Sequence, residues 1–147
     1  MKYLIDTNVL LRSVEAKHPM NYAAVNAVQV LLAQGEDLCI MPQNLIEFWA
    51  VATRPSSVNG LDLSLTQATA ELTSLKSIFT LQLDAPSLFA EWERLVTTYQ
   101  VIGKQAHDTR LVAGMLTHQI SHLLTFNTAD FKRFTEITAI DPRQVSR

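Results

Sequence analysis

The chain has 147 residues, 48% of them hydrophobic, with one cysteine and a formal net charge of −2. That length and apolar content exclude a disordered chain and fit one domain over residues 1–147, while the lone Cys39 excludes a disulfide-stapled scaffold. The negative balance, with a pI near 6.0, excludes nucleic-acid binding by bulk electrostatics, so a polyanionic partner has to be met by local basic residues or by bound cations.

In chain order, Tyr3-Leu4-Ile5 reads as a short buried strand that stops at Asp6-Thr7-Asn8. An acid at position 6 interrupts the apolar stretch a secretory signal needs, and no run approaches the ~18 apolar residues of a membrane span. The expectation is a cytoplasmic chain with no membrane segment. A helix is predicted from about Asn21 to Ala33, a strand over Leu38-Cys39-Ile40-Met41 with the thiol buried, and a helix from Asn44 to Ala52. Arg54 to Gly60 is the one clear loop. The next helix runs from Ser64 to Ile78, opened by Ser64 and Gln67 in capping-box spacing, and leads into a strand over Phe79–Leu83. From Asp84 to Tyr99 the residues Leu88, Trp92, Leu95, Val96 and Tyr99 line one helical face, with Asp84 as the expected N-cap. A helix over Lys104–Thr117 and strands over His122–Phe126 and Ile137–Ile140 complete the set.

Strands alternating with helices imply an α/β fold whose sheet is mostly parallel and covered on both faces, because parallel neighbours need crossover helices. Ligands of such sheets bind beyond the carboxyl ends of the strands. Four acids fall there: Asp6 after the first strand, Glu47 near the start of the helix after the second, Asp108 at the start of the helix before the fourth, and Asp130 on the turn after the fourth. Asp108 stands three, four and seven residues before Leu111, Val112 and Met115, on the apolar face, where an acid is costly unless partnered. Clustered carboxylates are stable as anions mainly around a hard cation with oxygen ligands, so Mg²⁺ or Mn²⁺ is the expected occupant. Such a site hydrolyses phosphodiesters. Each acid also has a structural reading: Asp6 as the N-cap of a helix starting near Val9, Glu47 as the partner of Asn44 in a capping box, and Asp130 as the partner of Asn127 in a second one.

Four segments, Leu4-Ile5-Asp6-Thr7-Asn8-Val9-Leu10, Pro42-Gln43-Asn44-Leu45-Ile46-Glu47-Phe48-Trp49, His107-Asp108-Thr109-Arg110-Leu111-Val112-Ala113 and Leu124-Thr125-Phe126-Asn127-Thr128-Ala129-Asp130-Phe131, resemble the successive motifs of PIN-domain proteins such as VapC-like toxins. The likeness runs from Tyr3 to about Pro142. It implies a three-layer α/β/α sandwich on a five-stranded parallel sheet, an acidic pocket for Mg²⁺ or Mn²⁺, and single-strand-specific or structured-RNA endonuclease activity, often in a toxin held by a small antitoxin. Carried over, Asp6, Glu47 and Asp108 take the core metal-ligand positions, and Thr7, Asn8 and Thr125 orient them. Many relatives place the last acid where this chain has Asn127, so either Asp130 supplies the charge or the site has one carboxylate fewer.

Other residues carry weaker signals. His118 and His122 straddle a helix end and a strand start and do not form a zinc pair. His107 reads as a surface histidine or a phosphate contact; Arg54, Lys104, Arg110, Lys132 and Arg133 as a basic lip or as ordinary solvated charges. Trp49 and Trp92 read as core packing ahead of base stacking. The helices over Asn21–Ala33 and Ser64–Ile78 are candidates for a homodimer or antitoxin surface. The competing function is a catalytically silent RNA- or protein-binding module; a phosphatase or receiver domain is disfavoured because Asp6-Thr7-Asn8 lacks paired acids.

Overall fold

The computed structural model describes residues 1–147. Strands β1 (Lys2–Ile5), β2 (Asp37–Ile40), β3 (Thr80–Leu81), β4 (His122–Leu124) and β5 (Thr138–Ile140) form one sheet in the order β3-β2-β1-β4-β5. Every neighbouring pair is parallel. Six helices connect them: α1 (Thr7–Val14), α2 (Asn21–Ala33), α3 (Pro42–Thr53), α4 (Leu65–Ile78), α5 (Leu88–Thr98) and α6 (Gln105–Thr117). The α/β/α sandwich with a five-stranded parallel sheet is therefore as expected, and no helix is long and apolar enough to cross a membrane.

The three layers follow from alternation along the strands, since successive side chains point to opposite faces. Tyr3, Ile5, Leu38, Ile40 and Leu124 pack with Val9, Leu10, Leu31, Phe48 and Leu75 on the face covered by α1 to α4. Leu4, Cys39, Met41 and Leu123 pack with Leu88, Leu95 and the Leu111–Met115 stretch of α5 and α6 on the other. Gly114 lets α6 approach closely, because a Cβ there would overlap the Met41 thioether. Gly35, at φ 79°, closes α2 through a bond from Glu36 N–H to the Leu31 carbonyl at 3.1 Å, and the chain turns into β2.

Three local expectations need correction. Helix α5 begins at Leu88 with Ser87 before it, not at Asp84, because the Asp84 carboxylate is turned to Arg110 at 2.8 Å. Helix α3 begins two residues early, with Pro42 in its first turn, and the capping contact is from Met41 N–H to Asn44 Oδ1 at 2.9 Å, so Glu47 has no capping role. Strand β3 keeps only Thr80 and Leu81 of the five residues expected. The Ser64 and Gln67 capping box forms as expected, at 2.9 and 3.1 Å.

Candidate active site

The site is built where β1 and β4 leave the sheet. Ile5 and Leu124 are paired, so the next residues, Asp6 and Thr125, stand side by side on the face toward α6. Asp6 is 8% exposed and Thr125 fully buried. The Thr125 hydroxyl donates to Asp6 Oδ2 at 2.8 Å and accepts from Asn127 N–H at 3.0 Å and from Asn8 Nδ2 at 3.2 Å. Asn8 is fixed in turn by Phe126 N–H, which donates to its Oδ1 at 3.2 Å. Asp6 Oδ1 accepts from Thr7 N–H at 2.8 Å, making Asp6 the N-cap of α1 as well as a rim carboxylate. Its structural and functional readings are thus compatible, since each oxygen retains acceptor capacity.

Glu47 reaches the same rim from the second turn of α3, where Thr7 Oγ1 donates to its Oε1 at 2.9 Å. Asn44 Nδ2 lies 3.5 Å from that Thr7 hydroxyl and ties α3 to α1. Asp108 enters from the first turn of α6, whose N-terminus stands at the rim because the helix must descend to start β4. The structure thus sets Asp6, Glu47 and Asp108 on one rim, near enough for the charges of Glu47 and Asp108 to act on Asp6. Asp130 is exposed on the short helical turn Thr128–Phe131, near enough for its charge to act on Asp108. Asn127 heads that turn without a side-chain capping bond, so the second expected capping box is absent.

Electrostatics record this crowding. Burial pushes the Asp6 carboxyl up to about 6; the bonds from Thr125 and Thr7 oppose the rise, and the Glu47 and Asp108 charges add to it. The Asp108 carboxyl is raised too, by burial first and then by Asp130 and Glu47, against His107 and Lys104. A site that penalises its own anions fits a ligand that brings positive charge, and the donors are the hard oxygens that Mg²⁺ or Mn²⁺ prefers. As the side chains stand, no three His, Cys, Asp or Glu groups converge into a ready coordination shell.

Supporting contacts that sequence reasoning did not single out come from Gln43. Its amide donates to the His107 carbonyl at 3.0 Å and accepts from Arg110 Nη1 at 3.0 Å, joining α3 to α6 across 64 and 67 residues. No local pattern signals such a pair. Of the expected basic lip, Arg133 is bonded to Gln105 at the start of α6, whereas Arg54 lies at the far end of α3, bonded to the Asn59 carbonyl.

Residues 3–137 match the profile of the family described as the PIN domain. No curated protein is similar in sequence at a significant level. Among solved structures, the chain is similar to VapBC2 from Rickettsia felis, bound to a DNA fragment from its promoter, with TM-score 0.74 and 19% identity over 96% of this chain and 98% of that one. It is similar to VapBC-1 from nontypeable Haemophilus influenzae, with TM-score 0.74 and 15% identity over 98% and 100% of the two chains. It is also similar to Mycobacterium tuberculosis VapC20, a toxin that cleaves the sarcin-ricin loop, with TM-score 0.66 and 18% identity over 92% and 98%. At these identities the likeness establishes the fold.

Proposed function

The chain belongs to the PIN-domain family, and from that premise we propose that it is a Mg²⁺- or Mn²⁺-dependent endoribonuclease, the toxin of a toxin-antitoxin pair. The observation that carries the reading is the group of acids at the carboxyl rim, with Asp6 buried and bonded on both oxygens. Asp6, Glu47 and Asp108 are the residues that would hold the cation, with Asp130 as the fourth charge. When bound, such a cation supplies positive charge that polarises a phosphodiester and acidifies water. The chain's own part is positional. Thr7 holds Glu47, and Thr125, with Asn8 and the Asn127 backbone behind it, holds Asp6. No side-chain nucleophile is called for, so no covalent enzyme intermediate forms.

VapBC neighbours in the structural comparison support a small antitoxin as partner. The groove between α2 and α4, lined by Val25, Val28, Leu75 and the exposed Leu32 and Ile78, is the candidate surface for it or for a second copy of this chain. A silent binding module is the second reading. It draws support from the absence of a ready coordination shell.

Total cellular RNA, incubated with the purified chain and with Asp6→Asn, each in EDTA and with Mn²⁺ or Mg²⁺ restored, separates the two. Cleavage that needs the cation and is lost in the variant is expected; a folded, cation-supplied wild-type chain that cleaves nothing favours the binding module.

A further inference from the structure

Beside the acids lies a cleft of about 410 Å³, lined by Leu88, Phe89, Trp92, Ala106, His107 and Arg110. That volume is within the range of about 300–1,000 Å³ typical of organic-ligand pockets. It meets the acid-bearing first turn of α6 through His107. His107 precedes Asp108 on α6, and neighbouring residues on a helix diverge by about 100°, so one turn presents a carboxylate to the acids and an imidazole to the cleft.

Three flat groups in the cleft are already oriented. The Trp92 ring is fixed by its Nε1–H, which donates to the Ala106 carbonyl at 2.9 Å. The Phe89 ring lies 5.6 Å from it, centroid to centroid, at 33°. The Arg110 guanidinium is clamped by Gln43 at 3.0 Å and Asp84 at 2.8 Å. Phe89 is 66% exposed, so core packing does not explain an aromatic ring there. Because Asp84 neutralises Arg110, the cleft is poorly suited to a phosphate or an acidic peptide. It suits an uncharged planar group, which stacks on aromatic rings and on a guanidinium plane.

We propose that the cleft between α5 and α6 is a nucleobase subsite, which takes one unstacked base of single-stranded RNA and so places the adjoining phosphodiester at the acids. The inference rests on the nuclease reading and adds to it the place on this chain, between α5 and α6, that holds the base beside the scissile bond. Phe89 and Trp92 are binding residues in this account, and Gln43 is a positioning residue because it acts through Arg110 and His107.

The test uses a short fluorescein-labelled single-stranded RNA of mixed sequence, and versions of it that each lack one base. Binding is measured in Mg²⁺ to the Asp6→Asn chain, alone and combined with Phe89→Ala or Phe89→Tyr; cleavage is measured in the otherwise wild-type background. One abasic position is expected to weaken binding about ten-fold, Phe89→Ala to do the same, the two losses not to add, and Phe89→Tyr to restore binding. For cleavage, Phe89→Ala is expected to raise KM with kcat retained. Intact cation-dependent cleavage with no sensitivity to Phe89→Ala or to any abasic position overturns the subsite and leaves the nuclease standing. So does a Phe89→Ala effect confined to self-association or to a co-purifying protein, which assigns the cleft to that contact instead. A folded chain that neither binds nor cleaves any of these RNAs overturns both.

Discussion

Asp6 sets the energetics of the site, because its carboxylate is ionised at neutral pH at a cost. Its folded pKa of about 6 lies above the usual 3.8, so the folded chain binds that proton more tightly than the unfolded chain does. The stabilisation is complete below about pH 4 and is lost as pH rises through about 6, amounting to about 3 kcal/mol. In cation-free protein, denaturant unfolding of Asp6→Asn against wild type should therefore show a stability gain for the variant that grows from pH 4 to pH 7. Adding Mn²⁺ should shrink that gain by stabilising only the wild type. A difference that stays flat with pH would contradict the burial argument. Thr125 is the second sensitive residue, since its hydroxyl joins Asp6, Asn8 and Asn127. Thr125→Val leaves the buried Asp6 carboxylate without its hydroxyl donor and frees Asn8 and the Asn127 backbone, and should cost about 1–3 kcal/mol of stability and most of the cleavage rate, as read by unfolding and by RNA turnover.

Among the elements, α6 is held by the fit of Gly114 against Met41. Gly114→Ala gains about 1 kcal/mol of helix propensity. It also forces a methyl group onto a thioether that is 1% exposed, and overpacking of about 1–3 kcal/mol outweighs that gain. A thermal-unfolding comparison should show Gly114→Ala destabilised and Met41→Val in the same chain restoring part of the loss. Much at this scale was legible in the sequence. All five strands stand where apolar runs end at turn residues, and α2 and the capped start of α4 fall on the expected residues. What failed was helix starts. Asp84 looks like a cap locally, but a charge partner 26 residues away claims it, and Met41, which has no capping chemistry of its own, is served by Asn44. Such contacts depend on tertiary neighbours, which a one-dimensional pattern does not contain.

For the whole molecule, the sheet order places the four acid-bearing segments at one end, because every strand runs the same way and β1, which carries Asp6, is central. Asp6 and Asp130, which follow strands, and Asp108, which opens a helix, stand where the pattern puts them, while Glu47 lies a turn further into α3 than its expected place near the helix start. The aromatic cleft was not, because Phe89 and Trp92 meet His107 and Arg110 only when α5 packs on α6. The net charge of −2 leaves RNA attraction to few cations: Lys104, Lys132 and Arg133 stand on segments flanking the acids, while Arg110 is neutralised. Binding of single-stranded RNA should therefore fall with salt with a log–log slope of about −2, from about −0.7 per phosphate contact; a much steeper slope would indicate a larger basic surface. The most direct test of the account is cleavage of a defined single-stranded RNA in heavy-oxygen water with Mn²⁺, by wild type and by Asp6→Asn. The account predicts one solvent oxygen in each new phosphate end, no cyclic phosphate, and no products from the variant. Cyclic-phosphate ends without solvent label, or cleavage undiminished in Asp6→Asn, would contradict it.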